Sequence, residues 1–385
     1  MYYKLLFFIF FSQKTFLEAM WLGHMNGEAL PRKFGMYDIL LSFITAFIPS
    51  YFIIPSVINV AKVKHLCDDI DDRRSHTEVT PSLGGVAIFA GVVFSVIFWT
   101  PFNIFVDLQY TLCAFIIIFL IGVKDDILPI TPYKKLLGEL MAAGIVVFKS
   151  GVKITSLHGL FGISQIPDWF SILLTIFTII VIINAFNLID GINGLSGSIT
   201  VVVALTLGTW FYLVDKNGLA ILAYSLAGAV TAFLKFNFTP ARIFMGDTGA
   251  LLLGLICSIL VIKFIEINQT IYGQPYSILA GPTVAIGILI LPLFDTARVF
   301  LIRILRGRSP FSPDRLHIHH LLVDFGFSHM QSTGLLVLTT ISFIAFVLIF
   351  QSIGTFKLLF LVLLLAAVFS IMLQNVVERR TLNQK

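Results

Sequence analysis

Long apolar segments recur along almost the whole chain, and they restrict its fold more than any other feature. A helix that crosses the hydrocarbon core of a bilayer needs about 20 mostly apolar residues. The chain has about eleven segments near this length, at 37–60, 84–101, 108–122, 134–149, 169–187, 199–213, 218–234, 250–266, 277–297, 334–350 and 356–374. The run 359–368 is apolar at every position, unlike the alternating strands of a membrane β-barrel. The sequence therefore predicts an all-α polytopic integral membrane protein.

The composition excludes several other classes of protein. Apolar residues make up 57% of the 385 residues and charged residues only 12%, whereas soluble domains carry roughly 25% charged residues. This charge is too little to cover a soluble globule, so a cytosolic enzyme and a disordered chain are excluded. The three cysteines show no paired spacing, which excludes a secreted disulfide scaffold.

The spans divide the chain into three parts. Residues 1–36 form an N-terminal extension of uncertain structure, residues 37–374 the multi-span domain, and residues 375–385 a cytoplasmic tail. Within the extension, the apolar stretch 4–11 is too short to span a membrane, and no cleavage site of a signal peptide follows it. The extension is either an interfacial segment or precedes a natural start at Met36.

Charge is distributed unevenly between the two predicted faces of the membrane. Most Lys and Arg residues fall in one set of alternate loops, namely 61–83, 123–133, 188–198, 235–249, 298–333 and the C-terminal tail. The positive-inside rule places this set in the cytoplasm. Most of the acidic residues and histidines lie in the same loops. A transporter would instead carry its key polar groups near the bilayer midplane, so the pattern favours an enzyme that works at the cytoplasmic face.

Two of these loops carry charged residues next to a span. In the first loop, basic residues precede Gly84-Gly85, where the backbone can approach another group closely; the loop either binds an anion or is a solvated segment of mixed charge. The third span ends at Asp125-Asp126. Adjacent residues on a helix diverge by about 100°, so one carboxylate is expected to be a ligand or base and the other a structural partner. An ion pair with Lys124 is the alternative.

The fifth span ends with Asn184, Asn187 and Asp190, which share one helix face because they are three residues apart. Amide and carboxylate oxygens suit a hard cation such as Mg²⁺ or Mn²⁺. Further along, Gly246-Asp247-Thr248-Gly249 precedes an apolar helix. It is either a capped turn or a helix N-terminus that presents N–H groups to an anion while Asp247 holds the metal.

The largest loop, 298–333, contains several arginines and the segment His317-Ile-His319-His320. The arginines serve partly as a positive-inside anchor. Zinc binding is disfavoured because no cysteine accompanies the histidines, and phosphate binding by Arg and His fits better. Together the loops offer carboxylates for Mg²⁺ and cations for phosphates, a combination that indicates phosphoryl transfer.

As a set, these motifs resemble the polyprenyl-phosphate N-acetylhexosamine-1-phosphate transferase family, which belongs to the glycosyltransferase 4 family. The resemblance runs from about residue 40 to 325 and rests on Asp125-Asp126, Asn184 to Gly191, Phe244 to Gly249 and the histidine segment. It implies transfer of a sugar 1-phosphate from a UDP-sugar to undecaprenyl phosphate, with UMP as the second product. The expected cofactor is Mg²⁺, for which Mn²⁺ can substitute, and the expected location is the bacterial inner membrane with a cytoplasmic active site.

The resemblance also implies residue roles. Asp247, with Asp190, would hold the metal. Asp125, Asp126, Asp68 and Asp190 would be catalytic, one of the first three acting as base toward the lipid phosphate. The residues expected to bind substrate are Lys64, Arg73, Arg74, His76, Asn187, Asn193, Asn237, Arg303, Arg315, His317, His319 and His320. The partners would be undecaprenyl phosphate, a UDP-sugar and the lipid bilayer, with no nucleic acid, and a homodimer is left open.

Two departures from the family pattern affect these expectations. The first loop lacks the proline of the family motif, and Asn193 replaces a second carboxylate, so it can be a neutral ligand but not a base. The form of the first loop and of the histidine segment is closer to the teichoic-acid and O-antigen initiators than to the peptidoglycan branch, which favours UDP-GlcNAc as the donor.

Three alternatives remain from the sequence. A two-step route through an aspartyl-phosphate would replace direct attack. A CDP-alcohol phosphotransferase would share the chemistry, but its spaced acidic signature is absent. A nucleotide-sugar transporter would also have many spans.

Overall fold

The computed structural model describes residues 35–64, 66, 80–100, 102–160, 162–309 and 316–383, and side chains from this set except in 102–107, 160 and 378–383. These residues form thirteen α-helices: α1 (Met36–Val63), α2 (Gly84–Trp99), α3 (Phe102–Ile127), α4 (Pro132–Phe148), α5 (Asp168–Ile189), α6 (Leu195–Leu213), α7 (Asn217–Asn237), α8 (Gly246–Thr270), α9 (Gly281–Ile288), α10 (Ile290–Leu305), α11 (Ile318–Phe325), α12 (His329–Ile349) and α13 (Thr355–Asn383).

The all-α membrane architecture predicted from the sequence is confirmed. Each predicted apolar segment coincides with a helix, or, for 277–297, with the pair α9 and α10. In the described part of the chain, seven helices are long and apolar enough to cross a membrane, and an eighth crossing results if α9 and α10 count as one broken span. The other three predicted spans fold as α2, α3 and α4, and their assignment as crossings stays a prediction.

Helix burial separates the centre of the bundle from its edge. In the most apolar stretches of α7 and α8, 78% of the residues are buried, against 22% for α13 and 28% for α1. Helix α8 packs against α2, α3, α5 and α6. A helix that is apolar on all sides is buried in protein or faces lipid. Here α7 and α8 lie inside, whereas α1 and α13 present most of their surface to the bilayer.

Small residues and hydroxyl groups join α1, α2 and α7. The Ser95 hydroxyl donates a hydrogen bond of 2.7 Å to the Ser42 carbonyl and lies 2.8 Å from the Ser225 hydroxyl. Gly228 lies against the Phe43 backbone, where a Cβ atom would come within 2.1 Å of the carbonyl oxygen. Because lipid is as apolar as the side chains, such close packing and polar contacts replace the hydrophobic effect between membrane helices.

Two features were not predicted. An antiparallel hairpin, β1 (Ser156–Leu160) and β2 (Ile163–Gln165), lies between α4 and α5, where no strands are predicted from the sequence. In addition, α9 and α10 meet at 79°. The bend directs α10 away from the axis of α9, and α10 leads into the loop that carries the histidine helix α11.

Candidate active site

The site is built on a close backbone contact between the starts of α2 and α8. The amides of Gly84 and Gly85 donate hydrogen bonds of 2.9 Å to the carbonyls of Phe244 and Met245. A Cβ atom on Gly85 would lie 2.1 Å from the Gly249 nitrogen. The predicted close approach at Gly84-Gly85 is therefore confirmed, and the approaching group is the backbone of the other segment.

Asp126 is the structural member of the acidic pair at the end of α3. One oxygen accepts the Asp247 amide at 2.7 Å, and the other accepts the Thr248 amide at 3.0 Å and the Thr248 hydroxyl. The carboxylate thus caps the first turn of α8, whose amides have no partner within the helix. The anion at this helix N-terminus is a side chain of the protein itself, so these two amides are not open to a phosphate. Gly246 adopts φ +72°, and a Cβ atom there would lie 2.6 Å from the Asp126 carboxylate.

Asp125 and Asp247 share a lysine. The Lys135 ammonium lies 3.2 Å from one Asp125 oxygen and 2.7 Å from one Asp247 oxygen. The other Asp125 oxygen accepts the Ile130 amide at 2.8 Å. The ion pair that the sequence left open as an alternative is made by Lys135 from the first turn of α4, whereas Lys124 is exposed. The Asp247 side chain is 28% exposed.

Asp190 ends α5 and faces the same cluster. Its carboxylate accepts a hydrogen bond from the Ser196 hydroxyl at the start of α6. Burial raises the pKa of Asp190 to about 7, and the nearby negative charges of Asp247 and Asp126 act in the same direction. The three carboxyl groups are thus close enough to influence one another, although they come from three different helices.

The turn after Asp190 is held from three sides. Asn237 accepts the Gly194 amide at 2.7 Å and donates to the Ile243 carbonyl at 2.9 Å. The Asn193 side chain donates to the Thr239 hydroxyl at 3.1 Å, and its carbonyl accepts the Thr333 hydroxyl of α12 at 2.8 Å. The amides of Asn193 and Asn237 are therefore engaged within the protein, and both residues position the turn. Their predicted contact with substrate stays a prediction.

The histidines of α11 lie against this turn. His319 is buried, and a Cβ atom on Gly191 would lie 2.2 Å from His319 Nε2. The His317 and His319 rings stack at 5.6 Å, and the His320 ring lies 4.2 Å from that of His319. Burial, assisted by the neighbouring His320, lowers the pKa of His319 to about 3, so His319 is neutral at physiological pH.

Asn184 has a different partner from the one expected for a metal ligand. Its side-chain amide donates to the Glu139 carboxylate at 2.6 Å and to the Ile180 carbonyl at 2.9 Å. Glu139 is 1% exposed and lies one turn after Lys135 on α4. The pair ties α5 to α4 behind the acidic cluster.

The remaining predicted residues are distributed as follows. Asn187 lies half-buried in the last turn of α5, and Lys64 is exposed just beyond the end of α1. Arg303 is buried on α10, with its guanidinium 5.9 Å from the Phe300 ring. Asp68, Arg73, Arg74, His76 and Arg315 lie outside the described residues.

The carboxylates fit a divalent cation. The carboxyl groups of Asp125, Asp126, Asp190 and Asp247 lie in one cluster with Lys135, and 28% of the Asp247 side-chain surface is exposed. Asp126 uses both of its oxygens for α8. No three His, Cys, Asp or Glu side chains among the described residues converge as a complete metal site. Mg²⁺ commonly takes only one or two protein carboxylates and completes its shell with water and substrate phosphates.

Sequence reasoning missed four residues that shape the site: Lys135, Glu139, Asp295 and Thr333. Lys135 was counted only as a basic loop residue, although its place just after a short turn from Asp125 is a usable signal. Glu139 and Asp295 are carboxylates within apolar segments, and such residues are rare in membrane helices unless they are paired or functional.

The chain is similar in sequence to known proteins over most of its length. The sequence model of glycosyl transferase family 4 matches residues 108–265. The chain is 31% identical over 331 residues to a probable undecaprenyl-phosphate N-acetylglucosaminyl 1-phosphate transferase of Bacillus subtilis (strain 168), covering 86% of this chain and 90% of that protein.

Two further relatives cover a smaller part of the chain. The undecaprenyl-phosphate alpha-N-acetylglucosaminyl 1-phosphate transferase of Escherichia coli (strain K12) is 31% identical over 72% of this chain and 75% of its own length. The decaprenyl-phosphate N-acetylglucosaminephosphotransferase of Mycolicibacterium smegmatis is 30% identical over 71% of this chain and 72% of its own. With these similarities extending over most of its length, the chain belongs to glycosyl transferase family 4.

Proposed function

We propose that the protein transfers a sugar 1-phosphate, GlcNAc-1-phosphate in the first instance, from a UDP-sugar to undecaprenyl phosphate. The products are undecaprenyl-diphospho-sugar and UMP, and the reaction is the first membrane step of a cell-surface polysaccharide pathway. The names of the relatives support the lipid acceptor and the GlcNAc group. The observation that carries the proposal is the acidic cluster of α3, α5 and α8, which meets the histidine helix at the Asp190–Gly191 turn.

The reaction is a displacement at phosphorus. An oxygen of undecaprenyl phosphate attacks the sugar-linked phosphorus of the UDP-sugar and forms a new P–O bond. The bond from this phosphorus to the bridging oxygen breaks, and UMP leaves with the bonding electron pair. Because a phosphate dianion is already nucleophilic near pH 7, catalysis depends mainly on orientation and on charge stabilisation.

The hydrogen bonds narrow the choice of base for the lipid phosphate. Asp126 is engaged by three donors of α8 and is therefore a positioning residue. Asp125 bonds to Lys135 and to the Ile130 amide, which leaves it without the three α8 donors that engage Asp126, and 11% of its side-chain surface is exposed. We assign the proton-accepting role to Asp125 or to Asp68 of the first loop. Lys135 then provides positive charge near the phosphates.

Asp247 and Asp190 would hold Mg²⁺, or Mn²⁺ in its place. Bound there, the ion would neutralise the diphosphate of the donor and the charge that develops on the leaving UMP. Lys135, which lies 2.7 Å from one Asp247 oxygen, would share this carboxylate with the ion. The histidines of α11, which lie against Gly191, would contact the diphosphate or the sugar.

We place the site on the cytoplasmic side of the bacterial inner membrane. The excess of Lys and Arg in the loops that flank the acidic cluster supports this orientation. Two cysteine substitutions test it, because Lys124 is exposed beside the site and Asp215 is exposed at the far end of α6. In intact cells, an impermeant thiol reagent should label Asp215→Cys and spare Lys124→Cys; the reverse labelling would overturn the orientation.

The activity is tested by UMP release from the purified protein with undecaprenyl phosphate, Mg²⁺ and a panel of UDP-sugars. Release should require both the lipid and the metal, and should be highest with UDP-GlcNAc. Asp247→Asn should abolish release, whereas the matched variant Asp215→Asn should not. Asp215 has φ +58°, a conformation that asparagine tolerates well. Absence of release with every donor, from folded protein and intact lipid, would overturn the proposal.

Direct attack and a two-step route give different results without the lipid. If an aspartyl-phosphate forms, incubation with UDP-sugar labelled in the sugar-linked phosphate should leave label on the protein and release UMP. Direct attack predicts neither event until undecaprenyl phosphate is added. A trapped phosphoprotein would replace the one-step reaction with a covalent one.

A further inference from the structure

Asp295 is a buried carboxylate with no role in the reaction described so far. It lies in α10, shortly after the bend from α9, and is 1% exposed. One oxygen accepts the Ile318 amide at 3.0 Å and an Arg298 N–H at 3.1 Å, and the other contacts His317 Nδ1 at 2.9 Å. Removing a carboxylate from water is costly in free energy unless hydrogen bonds and opposite charges compensate, as these partners do for Asp295. The partners of Asp295 therefore indicate its role.

These contacts fix the start of the histidine helix. The first amide of α11 belongs to Ile318, and the residue before it, His317, provides no side-chain cap of its own. Asp295 accepts this amide from another helix, and Arg298 donates to the carbonyl of Leu316. Three consecutive residues, 316–318, are thus held by two side chains of α10. The direction in which α11 leaves α10 is set by these bonds.

The same contact selects one tautomer of His317. An ionised carboxylate can only accept hydrogen bonds, so Nδ1 of His317 must carry the proton that bonds to Asp295. Nε2 then remains as the ring atom that can contact a ligand. A carboxylate that orients an imidazole in this way is a recurrent means of controlling which nitrogen reacts.

Through the histidines, Asp295 is connected to the acidic cluster. The His317 ring stacks on that of His319, and His319 Nε2 faces Gly191, the residue after Asp190. A displacement of α11 at its first residue would therefore alter the contact with the Asp190 turn. The path from Asp295 to Asp190 consists of direct contacts at every step.

We propose that Asp295 is a positioning residue of the transfer reaction, which acts through His317 by fixing its tautomer and by holding the start of α11 against the Asp190 turn. The proposal rests on the proposed function for its kinetic consequence. The tautomer of His317 does not depend on that function and is tested separately.

The alternative is that Asp295 only neutralises Arg298, and paired variants distinguish the two roles. Asp295→Asn should lower kcat for UMP release by about 10- to 100-fold, the range found when a supporting carboxylate of a ligand histidine is removed. The KM for the lipid should change little. His317→Asn should have a similar effect, and the double variant Asp295→Asn/His317→Asn should be no worse than His317→Asn alone. Asp215→Asn serves as the carboxylate control.

Neutralisation of Arg298 predicts a different pattern. In that case the double variant Asp295→Asn/Arg298→Gln would recover activity because both charges are gone. The positioning role predicts no recovery, since Arg298 also donates to the Leu316 carbonyl at the start of α11. Additive losses from Asp295→Asn and His317→Asn, or recovery in the Arg298 double variant, would overturn the proposal.

Nitrogen NMR of protein labelled with ¹⁵N-histidine gives a readout without substrate. The His317 signal, identified by its loss in His317→Asn, should show a protonated Nδ1 in the parent protein and a change of tautomer in Asp295→Asn. An Nε2-protonated neutral ring in the parent protein would refute the positioning role. If the tautomer is as expected but the parent protein releases no UMP, the proposed function fails while the structural assignment stands.

Discussion

Substitution of Asp126 tests whether the acidic pair is divided between structure and chemistry. Asp126→Asn keeps the size of the side chain but replaces one oxygen with an NH₂ group. If this group takes the place of Oδ1, it meets the Asp247 amide, which bonds there at 2.7 Å; if it takes the place of Oδ2, it meets the Thr248 amide at 3.0 Å. In either orientation at least one amide at the start of α8 loses its acceptor.

The size of the effect follows from these bonds. A hydrogen bond to a charged group contributes about 1.5–3 kcal/mol, and a buried donor left without a partner costs about 1–3 kcal/mol. Because the two contributions overlap, Asp126→Asn should lower the free energy of unfolding by about 2–5 kcal/mol. Thr248→Val removes only the hydroxyl bond to Asp126 and should cost about 1–2 kcal/mol. The variants should therefore form a graded series.

The assay compares thermal unfolding in detergent with UMP release, both with and without Mg²⁺. Asp126→Asn should lower the unfolding midpoint without metal by more than Thr248→Val, and should reduce UMP release because Asp247 is displaced. Asp125→Asn is the matched control. It can still accept the Ile130 amide, so it should keep most of the stability and lose activity. If Asp126→Asn unfolds like the parent protein, or if Asp125→Asn is the less stable of the two, the division of roles is wrong.

Three further predictions concern contacts around the site. Gly85→Ala should prevent folding, since its Cβ would lie 2.1 Å from the Gly249 nitrogen. Gly334→Ala on α12 is the control, because its Cβ would meet nothing within 4 Å, and it should be neutral or slightly stabilising. Size-exclusion profiles of the two proteins check this prediction. Thr333→Val removes the hydrogen bond to the Asn193 carbonyl and should lower kcat for UMP release by about 2- to 10-fold with little change in melting, so an unchanged kcat would contradict a positioning role. Glu139→Leu should destabilise the protein by about 1–3 kcal/mol because it leaves a buried amide without its acceptor, while Glu139→Gln retains an oxygen and should cost less; equal melting of these two variants would argue against the pairing.

The fold could be predicted to the level of its helices, for a physical reason. A helix that faces lipid or the centre of a membrane bundle is apolar on all sides, so the segments are visible in the sequence alone. The apolar character of a segment does not show whether its helix packs at the centre of the bundle or at its edge. Helices α8 and α13 have similarly apolar sequences, but α13 lies at the edge and α8 in the centre. The 79° bend after Ile288 was also missed, because apolar residues continue through it.

Within the site, residue types were predicted better than partners. Asp126 has the structural partners that the sequence argument expected of one member of the acidic pair, but the sequence did not show that this member would be Asp126. The active role of Asp125 stays a prediction. That distinction depends on how α3 approaches α8, a tertiary contact without a local signal. Asp295 was given no role for the same reason, since two of its partners, His317 and Ile318, lie more than 20 residues further along the chain.

The bond from Thr333 to the Asn193 carbonyl has a consequence for how the protein is made. Thr333 belongs to α12, which enters the membrane after every segment that carries an acidic residue of the site. During synthesis, the Asp190 turn therefore lacks the hydrogen bond from Thr333 until α12 has been made. Until then, a partly inserted chain contains the acidic residues without their final geometry. The acidic residues of the site are thus synthesised before Thr333, which completes the support of the Asp190 turn. We therefore expect catalytic activity to arise only near the end of translation.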